Sequence, residues 1–120
     1  MEAGALYLIN AIAIGDVQAL CPHLLQLEIA AVCYKKVRNT AAERMFSLLE
    51  SLSMDVDVNL STARGFYDFA KGIKCQVYDG VYLDLAKLHK LPLATRDNGQ
   101  LAACRALKLK VWAPPQRLTP

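Results

Sequence analysis

The chain has 120 residues, of which 54% are hydrophobic and 21% are charged, and its formal net charge is +3. This length suits one domain of ordinary size, and the composition excludes an intrinsically disordered chain. The modest positive charge is compatible with a polyanionic partner but does not require one. We therefore expect a single globular domain spanning residues 1–120.

The chain opens with an apolar run that predicts a helix over residues 3–14, stopped by Gly15. The run is too short for a membrane span and has no basic leader, so neither a membrane segment nor a signal peptide is expected. A short apolar run then predicts a strand at Val17–Leu20, closed by Pro22.

The middle of the chain carries helix and strand signals in turn. Thr40, with Glu43 three residues later, forms a capping box that predicts a helix start. The predicted elements are a helix from His23 to Tyr34, a helix from Thr40 to Leu52, an edge strand at Met54–Asn59, and a helix from Ser61 or Thr62 to Lys71 that Gly72 ends.

The last third of the chain predicts two helix-and-strand pairs. Residues 77–89 form a nearly all-apolar segment, which predicts a helix buried on most sides. Strands are expected at Leu91–Thr95 and Leu109–Trp112, with a helix at Asn98–Leu107 between them. Helices alternating with short strands predict an α/β fold, a parallel sheet flanked by helices on both faces.

The four cysteines are scattered along the chain, with no pair at the spacing of a metal knuckle or a redox dithiol. Each has apolar neighbours, which indicates a small buried hydrophobic residue with a reduced thiol. Reduced thiols are typical of the cytoplasm, so we expect a cytoplasmic protein.

Three acids are the candidate functional residues. Asp97 follows the strand that ends at Thr95, and Asp79 lies in the first turn of the helix at 77–89. Glu28 lies on the helix that follows the first strand, so it too is predicted to face the crevice at the carboxyl ends of the strands. Clustered carboxylates repel one another unless a cation neutralises them, and oxygen ligands favour Mg²⁺ or Mn²⁺.

Each acid also has a purely structural interpretation. Asp79 is placed to interact with the helix dipole, and Asp97 is placed to act as the N-cap of the next helix. Glu28 has the alternative role of an ion-pair partner for Lys35 or for a neighbouring basic residue.

Three segments carry a resemblance to a known family. The stretches Tyr78–Ala86 and Leu91–Asp97 resemble the C-terminal half of the PIN domain, especially that of VapC-type toxins from toxin–antitoxin pairs. The segment Cys21–Arg38 is similar to the Pro-x-Leu-x-x-x-Glu helix of that family, with Glu28 at the acid. The resemblance covers residues 5–112, and its three motifs occur in the family's order.

The resemblance implies a PIN-like three-layer fold and a Mg²⁺- or Mn²⁺-dependent endoribonuclease. It implies that Asp79 and Asp97 are metal ligands, and that Glu28 is a ligand or orients the attacking water. Thr95 has a supporting role in that scheme, through a hydrogen bond to a carboxylate or water. The implied partners are an RNA substrate and an antitoxin protein.

The chain departs from the family at its start, because PIN domains begin with a strand that ends in an aspartate of the cluster. Truncation before Met1 is the favoured explanation, with Asn10 as a substituted acid the alternative. A missing strand exposes sheet edges, which either a rearranged N-terminal segment or a second subunit would cover. Of these partners we expect a homodimer. The alternative function is a catalytically impaired PIN-like module that binds an antitoxin or itself.

Basic residues near the motifs are candidates for RNA contacts. Lys35 lies seven positions after Glu28, about 10 Å along the helix axis, which is within reach of a neighbouring phosphate. Solvated surface charge is the alternative interpretation of these cations. The candidates are Lys35, Lys36, Arg38 and Arg96.

Overall fold

The computed structural model describes residues 3–36, 38–57 and 62–114. Contacts divide the chain into two compact units, Met1–Val58 and Asn59–Pro120. The described residues form six helices and one two-stranded parallel sheet, which confirms the mixed α/β class. The single domain and the three-layer PIN-like arrangement stay predictions. No helix in the described ranges has both the length and the apolar character needed to cross a bilayer.

The first unit contains three helices and both strands. In chain order they are α1 (Ala3–Ala13), β1 (Leu20–Pro22), α2 (His23–Lys36), α3 (Asn39–Ser51) and β2 (Asp55–Asp57). The second unit contains α4 (Ala63–Ile73), α5 (Val77–His89) and α6 (Asn98–Leu107). Helices α5 and α6 have the bounds that the sequence predicts.

The sheet of the first unit begins later than the sequence predicts. Strands β1 and β2 pair in parallel, with Cys21 opposite Val56. The predicted strand at Val17–Leu20 is wrong in position, because the backbone pairing starts where Asp55 N–H donates to the Ala19 carbonyl at 2.9 Å. Strand β2 falls inside the predicted strand at Met54–Asn59, of which residues 58–59 lie outside the described residues.

The predicted capping box at Thr40 is also wrong. Helix α3 begins at Asn39, and Arg38 occupies the N-cap with an extended backbone and no side-chain capping bond. Thr40 is therefore already inside the helix, in its first turn, and is not its N-cap. The helix instead begins where the Ala42 N–H donates to the Arg38 carbonyl at 2.9 Å.

The second unit packs its helices around Leu83, which is fully buried on α5. Ala103 and Cys104 of α6 complete this buried cluster. Partly buried apolar side chains surround the cluster: Phe69, Ile73, Cys75, Leu93, Leu107 and Leu109.

Helix α5 buries one face rather than most of its surface. Gly80, Leu83 and Ala86 are buried and lie three residues apart, so they share one side of the helix. Tyr78 is 66% exposed and Leu88 is 68% exposed. The predicted burial on most sides is wrong, because an apolar segment of this kind is buried only where neighbouring elements cover it.

All three helices of the second unit end in a lysine with a left-handed backbone. The φ angles are 59° at Lys74, 55° at Lys90 and 56° at Lys108. In each case the next residue donates its N–H to a carbonyl five residues earlier, as in a Schellman motif. The predicted end of α4 at Gly72 is therefore wrong, because the helix runs through Ile73 and closes at Lys74. The predicted start at Thr62 is confirmed, and Ser61 lies outside the described residues.

The predicted strands at Leu91–Thr95 and Leu109–Trp112 pair at a single parallel bridge. Leu93 pairs with Val111, the Leu93 N–H donates to the Lys110 carbonyl, and the Trp112 N–H donates to the Leu93 carbonyl, both at 2.9 Å. The chain after this bridge leads directly to Thr95 and Asp97. The bridge thus fixes where the segment that carries two of the candidate residues leaves the core.

Candidate functional site

Asp97 is the N-cap of α6. Its Oδ2 accepts the backbone N–H of Gln100 at 2.8 Å, and its own backbone N–H donates to Thr95 Oγ1 at 3.1 Å. These bonds satisfy donors that a helix N-terminus leaves without partners. The structural interpretation of Asp97 is therefore confirmed, and the carboxylate is also exposed.

Asp79 lies in the first turn of α5, three residues after its N-cap Gln76, and is half-buried. Its Oδ1 accepts a hydrogen bond from Gln100 Nε2 at 3.3 Å. This bond joins the start of α5 to the start of α6 across 21 positions of sequence. The two helix N-termini that carry the candidate acids are thus neighbours, as the sequence predicts.

Gln100 is the residue that the sequence reasoning missed. Its side-chain Oε1 accepts the hydroxyl hydrogen of Thr95, so that Thr95, Gln100 and Asp79 form a continuous chain of hydrogen bonds. A signal was available, since Asp97 followed three residues later by Gln100 has the spacing of a capping box. Here the Gln100 side chain contacts Asp79 on α5 instead of bonding back to the N-cap residue of its own helix, α6.

Both acids line one cavity of about 490 Å³. Lys74 and Cys75, between α4 and α5, line the same space, together with small residues of α6. Burial, and in smaller part the negative charge of Asp79, raises the pKa of the Cys75 thiol above its ordinary value. The cavity therefore has two carboxylates, one lysine and one protonated thiol in its wall.

Two carboxylates give this cavity oxygen atoms that could bind a cation, while Lys74 brings a positive charge to the same wall. Carboxylate oxygens are the ligands that Mg²⁺ and Mn²⁺ prefer. Gln100 is a neutral hydrogen-bond donor, so its contacts orient Asp79 and Asp97 without cancelling their charge. Across the described ranges, no group of three or more His, Cys, Asp or Glu side chains is arranged to hold a metal ion.

Glu28, the third predicted acid, lies on α2 in the first unit and is exposed. Asp79 and Asp97 belong to the second unit. The convergence of all three acids therefore stays a prediction.

The predicted RNA-contacting cations are divided between the two units. Lys35 and Arg38 are exposed in the first unit, where the side chain of Lys36 lies outside the described residues. Arg96 is exposed between Thr95 and Asp97 in the second unit. Lys74, which the sequence did not single out, is the lysine that lines the cavity of the acids.

Comparison with family models, with curated proteins and with solved structures finds no match to this chain.

Proposed function

We propose that this chain is a Mg²⁺- or Mn²⁺-dependent endoribonuclease of the PIN-domain toxin type. The observation that carries the proposal is that Asp79 and Asp97 line one cavity. Gln100 hydrogen-bonds to both acids and to Thr95. Two carboxylates held at one cavity provide the hard oxygen ligands that such a cation needs.

Asp79 and Asp97 are the residues that would hold the cation. When bound, a divalent cation supplies Lewis acidity toward a phosphodiester and toward the water that attacks it. The protein's own part is to hold both carboxylates in place at the cavity wall. Thr95 acts indirectly, because its hydroxyl is engaged by the Asp97 N–H and by the Gln100 side chain.

The charge distribution supports a polyanionic substrate. Residues 59–120 contain ten Lys or Arg and four Asp or Glu, a net charge of +6, whereas residues 1–58 contain four and seven, a net charge of −3. The acid pair therefore lies in the strongly basic half of the sequence. Attraction of a phosphate backbone to this half is expected to weaken steeply as salt is raised.

The test compares wild-type protein with Asp79→Asn and Asp97→Asn, singly and together, in cleavage of labelled RNA with Mg²⁺, Mn²⁺ or a chelator. Asp84→Asn is the matched control, because Asp84 is half-buried on the same helix as Asp79 but does not line the cavity. We expect cation-dependent cleavage that the double variant abolishes and that Asp84→Asn preserves. Glu28→Gln tests the third acid in the same assay.

Binding of Mn²⁺ is measured in parallel by electron paramagnetic resonance. Removing a residue that merely orients a ligand typically lowers metal affinity about 10–100-fold, so removal of a ligand is expected to cost at least that much. Cleavage that survives in the Asp79→Asn, Asp97→Asn double variant, or a wild-type protein that binds no Mn²⁺, would refute the proposal.

A second candidate function is that of a PIN-like module, which acts by binding an antitoxin or a second copy of the chain. The surface of the first unit favours this function. Helix α3 contains no buried residue and exposes Met45 and Leu48. On α2, Leu27 and Val32 are exposed, and Tyr34 is 91% exposed. Apolar surface of this kind is typical of interaction sites. Light scattering of the purified protein tests self-association, and a strict monomer would count against the dimer.

A further inference from the structure

Helices α5 and α6 end side by side. Each is followed by a short extended segment, and the two segments pair in parallel at Leu93 and Val111. The C-caps of the two helices, Lys90 and Lys108, lie at equal distances along the chain before these paired residues. Neighbouring parallel strands are about 4.8 Å apart and packed helices about 10 Å apart, so the two C-caps are expected to lie within about 10 Å of each other.

Exposed cations occupy this end of the helix pair, which we call the basic end. They are Lys87, Lys90, Arg105, Lys108 and Lys110. They come from the last turns of both helices, from both C-caps and from the segment after α6. The basic end is therefore built by two neighbouring elements and not by one helix face.

The acids of residues 59–120 leave an excess of positive charge at the basic end. They are Asp68, Asp79, Asp84 and Asp97. Two of them lie at the helix starts, and Asp79 is about 16 Å from Lys90 along the axis of α5, beyond the Debye length of about 8 Å at physiological salt. Asp68 pairs with Arg64 on α4 at 3.7 Å, and Asp84 is half-buried in the middle of α5.

Helix capping accounts for only part of these cations. A cation in the last turn interacts favourably with the helix dipole, which explains Lys87 and Arg105. Lys110, however, follows the end of α6. Lys90 and Lys108 hold φ angles of 55° and 56°, where glycine is less strained than lysine. The lysines at both C-caps therefore cost stability, and what they provide that glycine would not is charge.

We propose that the basic end binds the phosphate backbone of a nucleic-acid strand. Lysine ammonium groups bind phosphates as point charges, and phosphate contacts need no particular base. The basic end lies at the opposite end of α5 from the cavity of Asp79 and Asp97. Binding there requires neither these acids nor a divalent cation, so this inference goes beyond the proposed nuclease chemistry.

An anionic lipid surface is the other polyanion that five cations could meet. Stable attachment to lipid takes a second, apolar signal in addition to charge. The apolar face of α5, formed by Gly80, Leu83 and Ala86, is buried in the core of the second unit. Leu88 and Leu91 are exposed near the basic end, as individual apolar side chains commonly are on protein surfaces. The basic end therefore fits a nucleic acid better than a lipid surface.

The test measures binding of a fluorescein-labelled single-stranded RNA by fluorescence anisotropy, with a chelator present so that no divalent cation takes part. The glycine variant is Lys90→Gly with Lys108→Gly, because glycine adopts the left-handed backbone of both C-caps and removes only the side-chain charge. The arginine variant, Lys90→Arg with Lys108→Arg, retains the charge. Lys71→Gln is the control, because Lys71 is exposed in the last turn of α4, which adjoins the start of α5.

The expected effects follow from the salt dependence of phosphate binding. On a single strand, each phosphate contact contributes about 0.7 to the slope of log affinity against log salt concentration. The glycine variant is expected to lower that slope by about 1.4 and to bind RNA about 25-fold more weakly at about 0.1 M salt. The arginine variant and Lys71→Gln are expected to keep wild-type affinity. Thermal unfolding is expected to show a glycine variant at least as stable as the wild type, which separates weaker binding from a folding defect.

Three results would overturn the proposal. The first is unchanged RNA affinity and salt slope in the glycine variant. The second is an equal loss of affinity in the arginine variant, because the charge is retained there. The third is a wild-type protein that binds vesicles of anionic lipid but no RNA.

The same measurements separate this proposal from the nuclease. If the wild type binds RNA in chelator and the glycine variant binds it weakly, but Mg²⁺ and Mn²⁺ support no cleavage, the basic end is supported and the nuclease proposal fails. If cation-dependent cleavage occurs and the glycine variant binds RNA as the wild type does, the basic end is refuted and the nuclease proposal stands.

Discussion

Replacing Asp97 by alanine and by asparagine separates its structural role from its proposed role as a ligand. Asp97 Oδ2 accepts the Gln100 N–H at 2.8 Å as the N-cap of α6. Alanine removes this acceptor, which is expected to cost about 1 kcal/mol of unfolding free energy. For a chain of this size that corresponds to about 4 °C in melting temperature.

Asparagine is expected to cost much less, because its side-chain oxygen replaces the carboxylate oxygen as the cap. What remains is the lost interaction between a negative charge and the helix dipole. Because Asp97 is exposed, the interaction of its charge with the helix dipole is expected to contribute only about 0.3 kcal/mol to the free energy of unfolding. Both variants lack the carboxylate and are expected to lose Mn²⁺ binding alike.

The assay is urea denaturation followed by far-ultraviolet circular dichroism, without divalent cations, in parallel with Mn²⁺ titration. Thr62→Ala is the matched control, since Thr62 caps α4 by accepting the Gly65 N–H at 3.0 Å and does not line the cavity. It is expected to lose about 1 kcal/mol of stability and to retain Mn²⁺ binding. If Asp97→Asn were as unstable as Asp97→Ala, the charge rather than the cap would stabilise α6, and this reasoning would be wrong.

The other predictions concern α5 and its surroundings. Leu83→Ala, at a fully buried position, is expected to lower the free energy of unfolding in urea by about 3 kcal/mol. Leu88→Ala, on the same helix but 68% exposed, is expected to change it by less than about 0.5 kcal/mol, and equal losses would contradict the assigned core. Lys90→Gly is expected to raise the free energy of unfolding by about 1 kcal/mol, because the φ of 55° at Lys90 is less costly for glycine than for a residue with a side chain. An unchanged free energy of unfolding would contradict this prediction. Burial, and in second place the charge of Asp79, raise the pKa of the Cys75 thiol. Asp79→Asn is therefore expected to lower that pKa and to increase the thiolate fraction at pH 8. Because the thiolate is the reactive form, alkylation of Cys75 by iodoacetamide is expected to be faster. Mass spectrometry of the Cys75 peptide measures this rate, and an unchanged rate would attribute the shift to burial alone.

The sequence predicted correctly those features that depend on residues close together in the chain. The bounds of α5 and α6, the start of α4 at Thr62 and the cap at Asp97 all depend on residues within one helical turn. A cap and its free N–H groups are neighbours in the chain, so their types and spacing alone specify the bond. The prediction of an N-cap at Thr40 was wrong because the helix begins with an N-cap two residues earlier, at Arg38. The capping-box spacing does not indicate which of two nearby N-cap positions the helix uses.

The sequence by itself determined which residue types stand at the two helix starts, with Asp79 in one first turn and Asp97 at one N-cap. Only the tertiary structure decided that the Gln100 side chain spans 21 positions to Asp79, and that one face of α5 is buried while Leu88 is exposed. Those outcomes depend on which elements pack side by side. Packing is set by contacts between residues far apart in sequence, and no local spacing encodes them.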